Sequence, residues 1–585
     1  MKKSGMLTKL YFKLLPVQCL IVAMGAVNSI VDGVIAARCI DATAVGIVGL
    51  YYSMVSVLQA VGAVLLGGTA VLCGKAMGCG DMKKTSAVFT ANLTTALAAG
   101  ILFTAISFIA PGPIAGILGA SEELKPALAE YVRGYGVGIM PLLLSQQIAS
   151  FLQMERQSTR GYVGIAGMII ANTVLDLVFV AGMDLGVFGL ALATSLGNWI
   201  YFLILIPYYQ TGKSKLRMKL SLFDLKVLGQ MTVIGIPGAV LIFVLAIRGI
   251  TLNRILLRYV GTAGLSAQSA LNMLNGLFVA FALGIGATLR MLASIFFGEE
   301  DKDSLKRLLR ISLTRSFPMS FIVTALVAAL SAFIASVFFP DKSSEVFILT
   351  RQLFLIYSFC IPLIVLVQII SNYLQAGGHN VFVNVLSVFD GFFSMIVPAL
   401  ILAPRMGALG VWISNPIGIT LTLLLSFGYA CVFNKGVPKN AEEWMLLRDD
   451  FGVPDEDRLD IAIRSMDDVM RTAEQVQAFC KGHGMDERTS YYSALCMEEM
   501  AGNVIDHGFT KDNKKDHMVE ARVVCKDGRI MLRLKDDCVR FDPMERAEQH
   551  TGDPFRNVGL KMVTGISDEM IYQHMMGLNV LTIRI

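Results

Sequence analysis

The stretch GVFGLALATSLGNWIYFLILIPYY, residues 186–209, carries no charged side chain and is long enough to cross a bilayer as one helix. Displaced by 221 residues, the chain reads GALGVWISNPIGITLTLLLSFGYACVFN, residues 407–434, another uncharged run that opens on the same Gly-x-x-Gly. Other landmarks recur at nearly that offset: Pro16 with Pro237 (221), Asp81 with Asp301 (220), and Leu152-Gln153 with Leu374-Gln375 (222). Each match is weak alone, but four at one spacing predict an internal duplication. Two lobes in the same orientation around a central cleft are a transporter architecture, because rocking one against the other alternates access to a midplane site.

Outward from these two runs, apolar segments of membrane length lie near 14–37, 45–73, 86–110, 127–153, 162–182, 186–209, 228–252, 265–297, 311–338, 351–375, 381–403 and 407–434. We number them spans 1 to 12. The composition agrees: 55% of the 585 residues are hydrophobic and 16% charged, which excludes a secreted enzyme, a disulfide miniprotein and a disordered chain. Charge divides the sequence. Residues 1–439 carry 31 basic and 17 acidic side chains, net +14, whereas 440–585 carry 19 and 28, net −9. The expected fold is therefore an all-α polytopic membrane protein, twelve transmembrane helices in two six-helix lobes, followed by a cytosolic α/β domain.

Loop charge predicts the orientation. Lys2, Lys3, Lys9 and Lys13 precede span 1, Lys75, Lys83 and Lys84 follow span 2, and Arg156 and Arg160 follow span 4. Lys213, Lys215, Arg217, Lys219 and Lys226 follow span 6, and Lys302, Lys306, Arg307 and Arg310 follow span 8. Alternate loops hold mainly Arg38, Lys125, Arg254, Arg258, Lys342 and Arg405. Both termini are expected in the cytoplasm of a cell bounded by the plasma membrane, with span 1 retained, not cleaved as a signal. The ten cysteines form no CxxC pair and several sit in apolar runs, so neither a disulfide framework nor a cysteine metal site is expected.

Across residues 8–434 the chain resembles the multidrug and toxin extrusion (MATE) family. The resemblance rests on VNSIVDG in span 1, GGTAVLCGKAMGCGD (Gly67 to Asp81), ANTVLD (Ala171 to Asp176), GVFGLALAT (Gly186 to Thr194), GIP (Gly235 to Pro237) and GTAGLSAQ (Gly261 to Gln268). It implies lobes at 1–220 and 221–439 and export of small organic compounds in exchange for H+ or Na+. Asp32 and Asp176 match the positions of the family's N-lobe acidic pair. Asn28 and Asn172 stand one turn before them, amide and carboxylate on one helix face. A carboxylate in a span is costly unless paired, hydrated or protonated, so these four residues are the ion-coupling candidates. The bland alternative is a pair of polar residues satisfying each other or a kinked helix. Asp32 aligns with Asn253 at the repeat offset; Asp390 is a C-lobe substitute or a helix-end residue, and Arg248 and Arg290 are expected to snorkel.

After a linker at 440–458, residues 459–585 read as a separate domain. A helix is expected from Arg488 to His507, with Glu499, Asn503 and His507 at i, i+4 and i+8. Strands are expected at His517–Cys525 and Ile530–Asp536, joined by an Asp527-Gly528 turn, then a helix from Val558 and the strands EMIYQH and NVLTIRI, in a mixed sheet. EEMAGNVIDHG, DDCVRFDP and NVGLKMV, in that order, resemble the boxes of the GHKL ATPase superfamily, closest to its anti-sigma-factor serine kinases, with a Bergerat-type α/β sandwich. The resemblance implies ATP with Mg2+: Asn503 for the metal, Glu499 as catalytic carboxylate, Asp536 for the adenine amino group and Gly559 at the phosphates. The family's Asp-x-Gly-x-Gly is here Asp536, Asp537, Cys538, Val539, Arg540, and Asn557 replaces a further glycine, so a Cβ stands where backbone must approach the ligand. Arg540 and Arg556 are either phosphate contacts or surface residues, and His507 is read as a helix cap. No GxxxxGK[ST] pattern occurs, and nothing points to nucleic acid. The expected function is a cation-coupled exporter regulated by a nucleotide- or protein-binding tail. The alternative is a membrane sensor whose tail is a serine/threonine kinase or a partner-switching module for a cytosolic protein.

Overall fold

The computed structural model describes residues 5–35, 39–40, 42–79, 81–118, 120, 122–155, 157–211, 214, 216, 218–339, 341–440, 442–448, 451–509, 517–526, 528–544, 558–575 and 578–585. Among them, eleven helices are long and apolar enough to cross a membrane, and they fall on spans 2 to 12. Span 1 falls on the 31-residue helix Gly5–Ile35, with Pro16 in its interior. Span 10 is met by two helices, Glu345–Ser358 and Cys360–Gly377. Lys2, Lys3, Arg38, Arg156, Lys213, Lys215 and Arg217, used above for orientation, lie outside the described residues.

The duplication is written into the backbone. Gly186 and Gly407, 221 positions apart, both adopt φ +55°, a left-handed conformation that costs glycine nothing and lets spans 6 and 12 begin with a sharp turn. Asp81 and Asp301 cap the helices after spans 2 and 8 with nearly the same dihedrals, φ −83°, ψ 84° and φ −93°, ψ 84°. Each carboxylate accepts the backbone N–H three residues on, satisfying an otherwise orphaned helix donor. Spans 2 and 8 then run together through paired small residues. A Cβ on Gly78 would stand 2.2 Å from the Ile295 carbonyl, and one on Gly298 would stand 2.2 Å from the Lys75 carbonyl. The two lobes are thus sealed backbone to backbone at this end.

The tail is a five-stranded sheet, β1 (Arg458–Ile463), β2 (Val519–Lys526), β3 (Arg529–Asp536), β4 (Glu569–Met575) and β5 (Leu578–Arg584), in the order β1-β2-β3-β5-β4. Every pairing is antiparallel, which corrects the expected mixed sheet. The expectation missed β1 and the helix Met466–Gly482 behind it, so it lacked the strand that occupies the edge. The β2–β3 turn is tight, with Lys526 opposite Arg529 and Gly528 at φ +72°; Asp527 lies outside the described residues. Alternation gives the sheet two faces. Ala521, Val523, Leu532, Leu534, Leu581 and Ile583 pack against helices Met466–Gly482, Glu487–Asn503 and Val558–Ile566. The opposite face, where such a sheet usually meets water, carries Arg522, Arg533, Lys535 and Val580 against the membrane helices, and Val580 joins the same continuous core as Leu292 and Phe296.

Candidate functional site

Within the N-lobe the amide of Asn172 is a hub. It donates to Asp32 Oδ1 in span 1 at 2.6 Å and to Asp176 Oδ2 on its own helix at 3.0 Å. The i, i+4 face expected for Asn172 and Asp176 is therefore real, and it captures Asp32 as well. Asn172 and Asp176 are fully buried, and Asn172 Oδ1 and Asp176 Oδ1 have no hydrogen-bond partner among the described residues. Mutual satisfaction does not account for these two oxygens. A fully buried and a half-buried carboxylate meet on one neutral amide, an arrangement that suits a proton or a small cation. The helix passes directly from Asp176 into a π turn, Leu177–Gly182, a distortion common at functional positions. The side chain of Asn28 lies outside the described residues.

Asp390 in span 11 also sits in a π turn, Phe389–Phe393, in the middle of its span and not at a helix end, and accepts from the Thr422 hydroxyl at 2.9 Å. Arg248 lies within electrostatic reach of it. Arg290 donates to Gln375 Oε1 at 3.1 Å. Both arginines point into the bundle instead of snorkelling out of it.

In the tail, Asn503 donates to Glu499 Oε1 at 3.0 Å, as their spacing requires. Gly559, near the start of helix Val558–Ile566, is pressed against that carboxylate: a Cβ there would lie 1.7 Å from Glu499 Oε1. Three of the four residues singled out thus meet at one point. Asp536 closes the other side of a small cleft lined also by Asn503, His507, Gly508, Cys538, Tyr572 and Asn579. Burial pushes its carboxyl up from the ordinary range. Asn579, which sequence reasoning did not single out, donates to Asp536 Oδ1 at 2.6 Å, the contact that an adenine amino group would make. The donor set suits a magnesium–adenine nucleotide, but the cavity is about 40 Å3, far below the roughly 300–1,000 Å3 of ligand pockets. In this conformation Asn579 occupies the Asp536 carboxylate. His507 is exposed at its mouth in the π turn Val504–Gly508. Arg540 lines a different crevice, with Glu155 and Tyr208; Arg556 and Asn557 lie outside the described residues.

A family model described as MatE matches residues 19–178 and 230–400, more than half of the chain. The chain belongs to the MatE family. A second model, described as histidine kinase-like ATPase domain, matches residues 464–585. The probable multidrug resistance protein YoeA of Bacillus subtilis is 23% identical over 391 residues, covering 65% of this chain and 83% of that protein. The multidrug export protein MepA of Staphylococcus aureus is 22% identical over 221 residues, 37% of this chain, and the chain spans about half of MepA's length (49%). A solved MATE family transporter of the MOP superfamily in its outward-facing conformation overlays with a TM-score of 0.68 at 19% identity, covering 73% of this chain and 95% of that one. A crystal structure of a MATE protein in the bent conformation overlays at 0.66, with 19% identity over 73% and 95%. The shared fold is that of a multi-pass membrane protein.

The MatE portion and the ATPase-like tail are clasped together at the sealed end of spans 2 and 8. Lys535 Nζ lies 2.6 Å from Glu299 Oε2, with Arg533 at 3.8 Å from the same carboxylate. The Glu299 side chain is only 1% exposed. Arg533 also donates to the Gly78 carbonyl at 3.1 Å, so this one strand reaches the ends of both spans, span 2 through Arg533 and span 8 through Lys535. Arg522 bridges Asp301 (2.8 Å) and Asp460 (2.7 Å), Lys526 meets Glu300 (2.8 Å), and Arg458 meets Asp303 (2.7 Å). Arg522 and Lys535 hold the Asp301 carboxyl far below the usual carboxylate range, and Asp301 and Asp460 raise the Arg522 guanidinium. The linker is fastened too, Glu442 pairing with Lys302 (2.7 Å) and Lys306 (3.1 Å). Sequence reasoning missed this interface. Its one legible signal was the spacing of Arg533 and Lys535, i and i+2 on a single strand face.

Proposed function

We propose that the chain exports small organic compounds across the plasma membrane in exchange for H+ or Na+, and that its tail controls the opening of the cytoplasmic side. Both termini face the cytoplasm in this reading, and the functional units are lobes at 1–220 and 221–439, a linker at 440–458 and the tail at 459–585. Its family and the export activities named for its relatives supply the substrate class. Asp32 and Asp176, linked by Asn172 and neighboured by Asn28, take up the coupling ion, since the orphaned oxygens at that site call for a proton or cation.

The observation that carries the regulatory part is strand β3, on which Arg533 holds the end of span 2 and Lys535 the end of span 8. Inward opening requires those ends to part, so the docked tail favours the closed side. Mg-ATP is the expected tail ligand, with Asn503 serving the metal, Asp536 the adenine, Gly559 the phosphates and Glu499 any attacking hydroxyl; a cytosolic protein is the expected further partner. The test is efflux of a fluorescent organic cation in proteoliposomes under an imposed proton or sodium gradient, for the full chain and for a chain ending at residue 439. Gradient-dependent transport that is faster without the tail supports the reading. No gradient-driven transport by either chain refutes export; equal rates refute the regulation.

A further inference from the structure

We propose that His517, Asp537 and Cys538 form a zinc-class metal site at the open end of the β2–β3 hairpin. The pairing register creates it. Val519 opposes Asp536, so continuing the ladder by two steps brings His517 opposite Cys538, although they are 21 residues apart in sequence. No spacing motif would reveal this, which is why the cysteine count alone gave no metal site. The ligand atoms, an imidazole nitrogen, a thiol sulfur and a carboxylate oxygen, lie within 4.8 Å of one another, and the His517 and Cys538 side chains are buried.

The distances suit a metal site. His517 Nδ1 is 3.5 Å from Cys538 Sγ and 3.4 Å from Asp537 Oδ1. A ring nitrogen carries one proton or one lone pair, directed along one line, so it cannot serve both groups. The contact with the carboxylate also exceeds the roughly 2.7–3.2 Å of an N–H···O bond. Tetrahedral zinc, with Zn–S about 2.3 Å and Zn–N and Zn–O about 2.0–2.1 Å, sets the S···N edge at about 3.5 Å and the N···O edge at about 3.3 Å. Both match. Phe509 stacks on the imidazole, ring centroids 4.9 Å apart, and the Met518 N–H holds Asp537 Oδ1 at 3.0 Å, so two of the three ligands are oriented by neighbours. Binding releases the Cys538 thiol proton, and three protein ligands leave a fourth position for water or a ligand from the cleft.

The site gives Cys538 a purpose where the related ATPase motif has glycine. A metal there ties the start of β2 to the loop that follows Asp536, and Cys538 Sγ also abuts Gly508 at the end of the Asn503 helix, 3.0 Å from the position of a Cβ there. The floor of the cleft is thereby stapled and not left to a flexible loop.

The test is titration of the metal-stripped full-length protein in detergent with Co2+ alone, then Zn2+. One equivalent of Co2+ should bind with a thiolate-to-metal charge-transfer band, and Zn2+ should abolish the band and raise the unfolding temperature. Cys538→Ser should lose the band; Cys525→Ser, away from the cluster, should keep it. Asp537→Asn preserves shape and should weaken binding, which guards against misfolding of the cysteine variant. No stoichiometric uptake by the wild type, or an unchanged band in Cys538→Ser, would show that these three residues are only a hydrogen-bonded cluster.

Discussion

Lys535 grips Glu299 of the membrane half at 2.6 Å, and its chain neighbour Asp536 closes the nucleotide-type cleft on the opposite face of the same strand. A strand is one residue thick, and successive side chains alternate. Anything that displaces Asp536 along β3 must therefore disturb Lys535 and Arg533. The route from cleft to clasp is a single peptide bond, which makes each side a lever on the other.

Glu299→Gln should undock the tail. It leaves Arg533 buried with a weakened partner, and breaking one side of a buried pair costs about 3–5 kcal/mol. Limited proteolysis within residues 440–458 should accelerate, and efflux should approach that of the chain ending at 439. A double-mutant cycle with Lys535→Met should show coupling of at least about 1 kcal/mol; additive effects would mean that the contact carries no energy.

Asp176→Asn is expected to end gradient-driven export while the protein remains folded and monodisperse, because an amide fills the same space but cannot take up a proton. Asp32→Asn should do the same, since Asn172 joins Asp32 to Asp176. Wild-type rates across pH 5–8 in either variant would move the coupling role elsewhere.

Asn579→Ser removes the side chain that occupies Asp536. A hydrogen bond to a charged group contributes about 1.5–3 kcal/mol, so the affinity for Mg-ATP should rise about tenfold or more. Calorimetry on the full chain decides it: weaker binding would show that Asn579 helps the ligand instead of standing in its place.

The clasp should ignore moderate acid. The folded-state carboxyl of Asp301 lies below its unfolded value of 3.8. Its contribution is thus complete above the unfolded pKa and is lost only as pH falls through the lower folded one. Tail docking, read by proteolysis of the linker, should be constant from pH 8 to 5. Release near pH 6 would point to another group as the determinant.

Gly78→Ala should force the seam apart, since the new methyl would lie 2.2 Å from the Ile295 carbonyl. Overpacking of this kind costs about 1–3 kcal/mol, so the unfolding temperature of the purified protein should fall below that of the wild type.

Local chemistry was legible in the sequence where it repeats or obeys a helical period. The Gly186/Gly407 and Asp81/Asp301 pairs exposed the duplication because each fixes a backbone conformation that both lobes need. Asn172 with Asp176, and Glu499 with Asn503, were readable because one turn of helix sets their distance. The interface was not, because nothing local pairs Glu299 with Lys535 across 236 residues. Bulk charge even pointed the wrong way: the clasp joins the acidic minority of a basic half to the basic minority of an acidic tail. The sheet was taken as mixed because strand direction follows from the connections, and β1 at its edge was not recognised. His517 and Cys538 meet only through the strand register, which no spacing rule contains.

The fastened linker has one last implication. With Glu442 moored to Lys302 and Lys306 beside the end of span 8, a released tail remains on a leash of fewer than twenty residues. A short flexible tether keeps its ends at about millimolar effective concentration. Docking and release are then an internal ratio, independent of how many copies a cell makes, and a soluble competitor for the basic face of the sheet must reach comparable abundance to displace it.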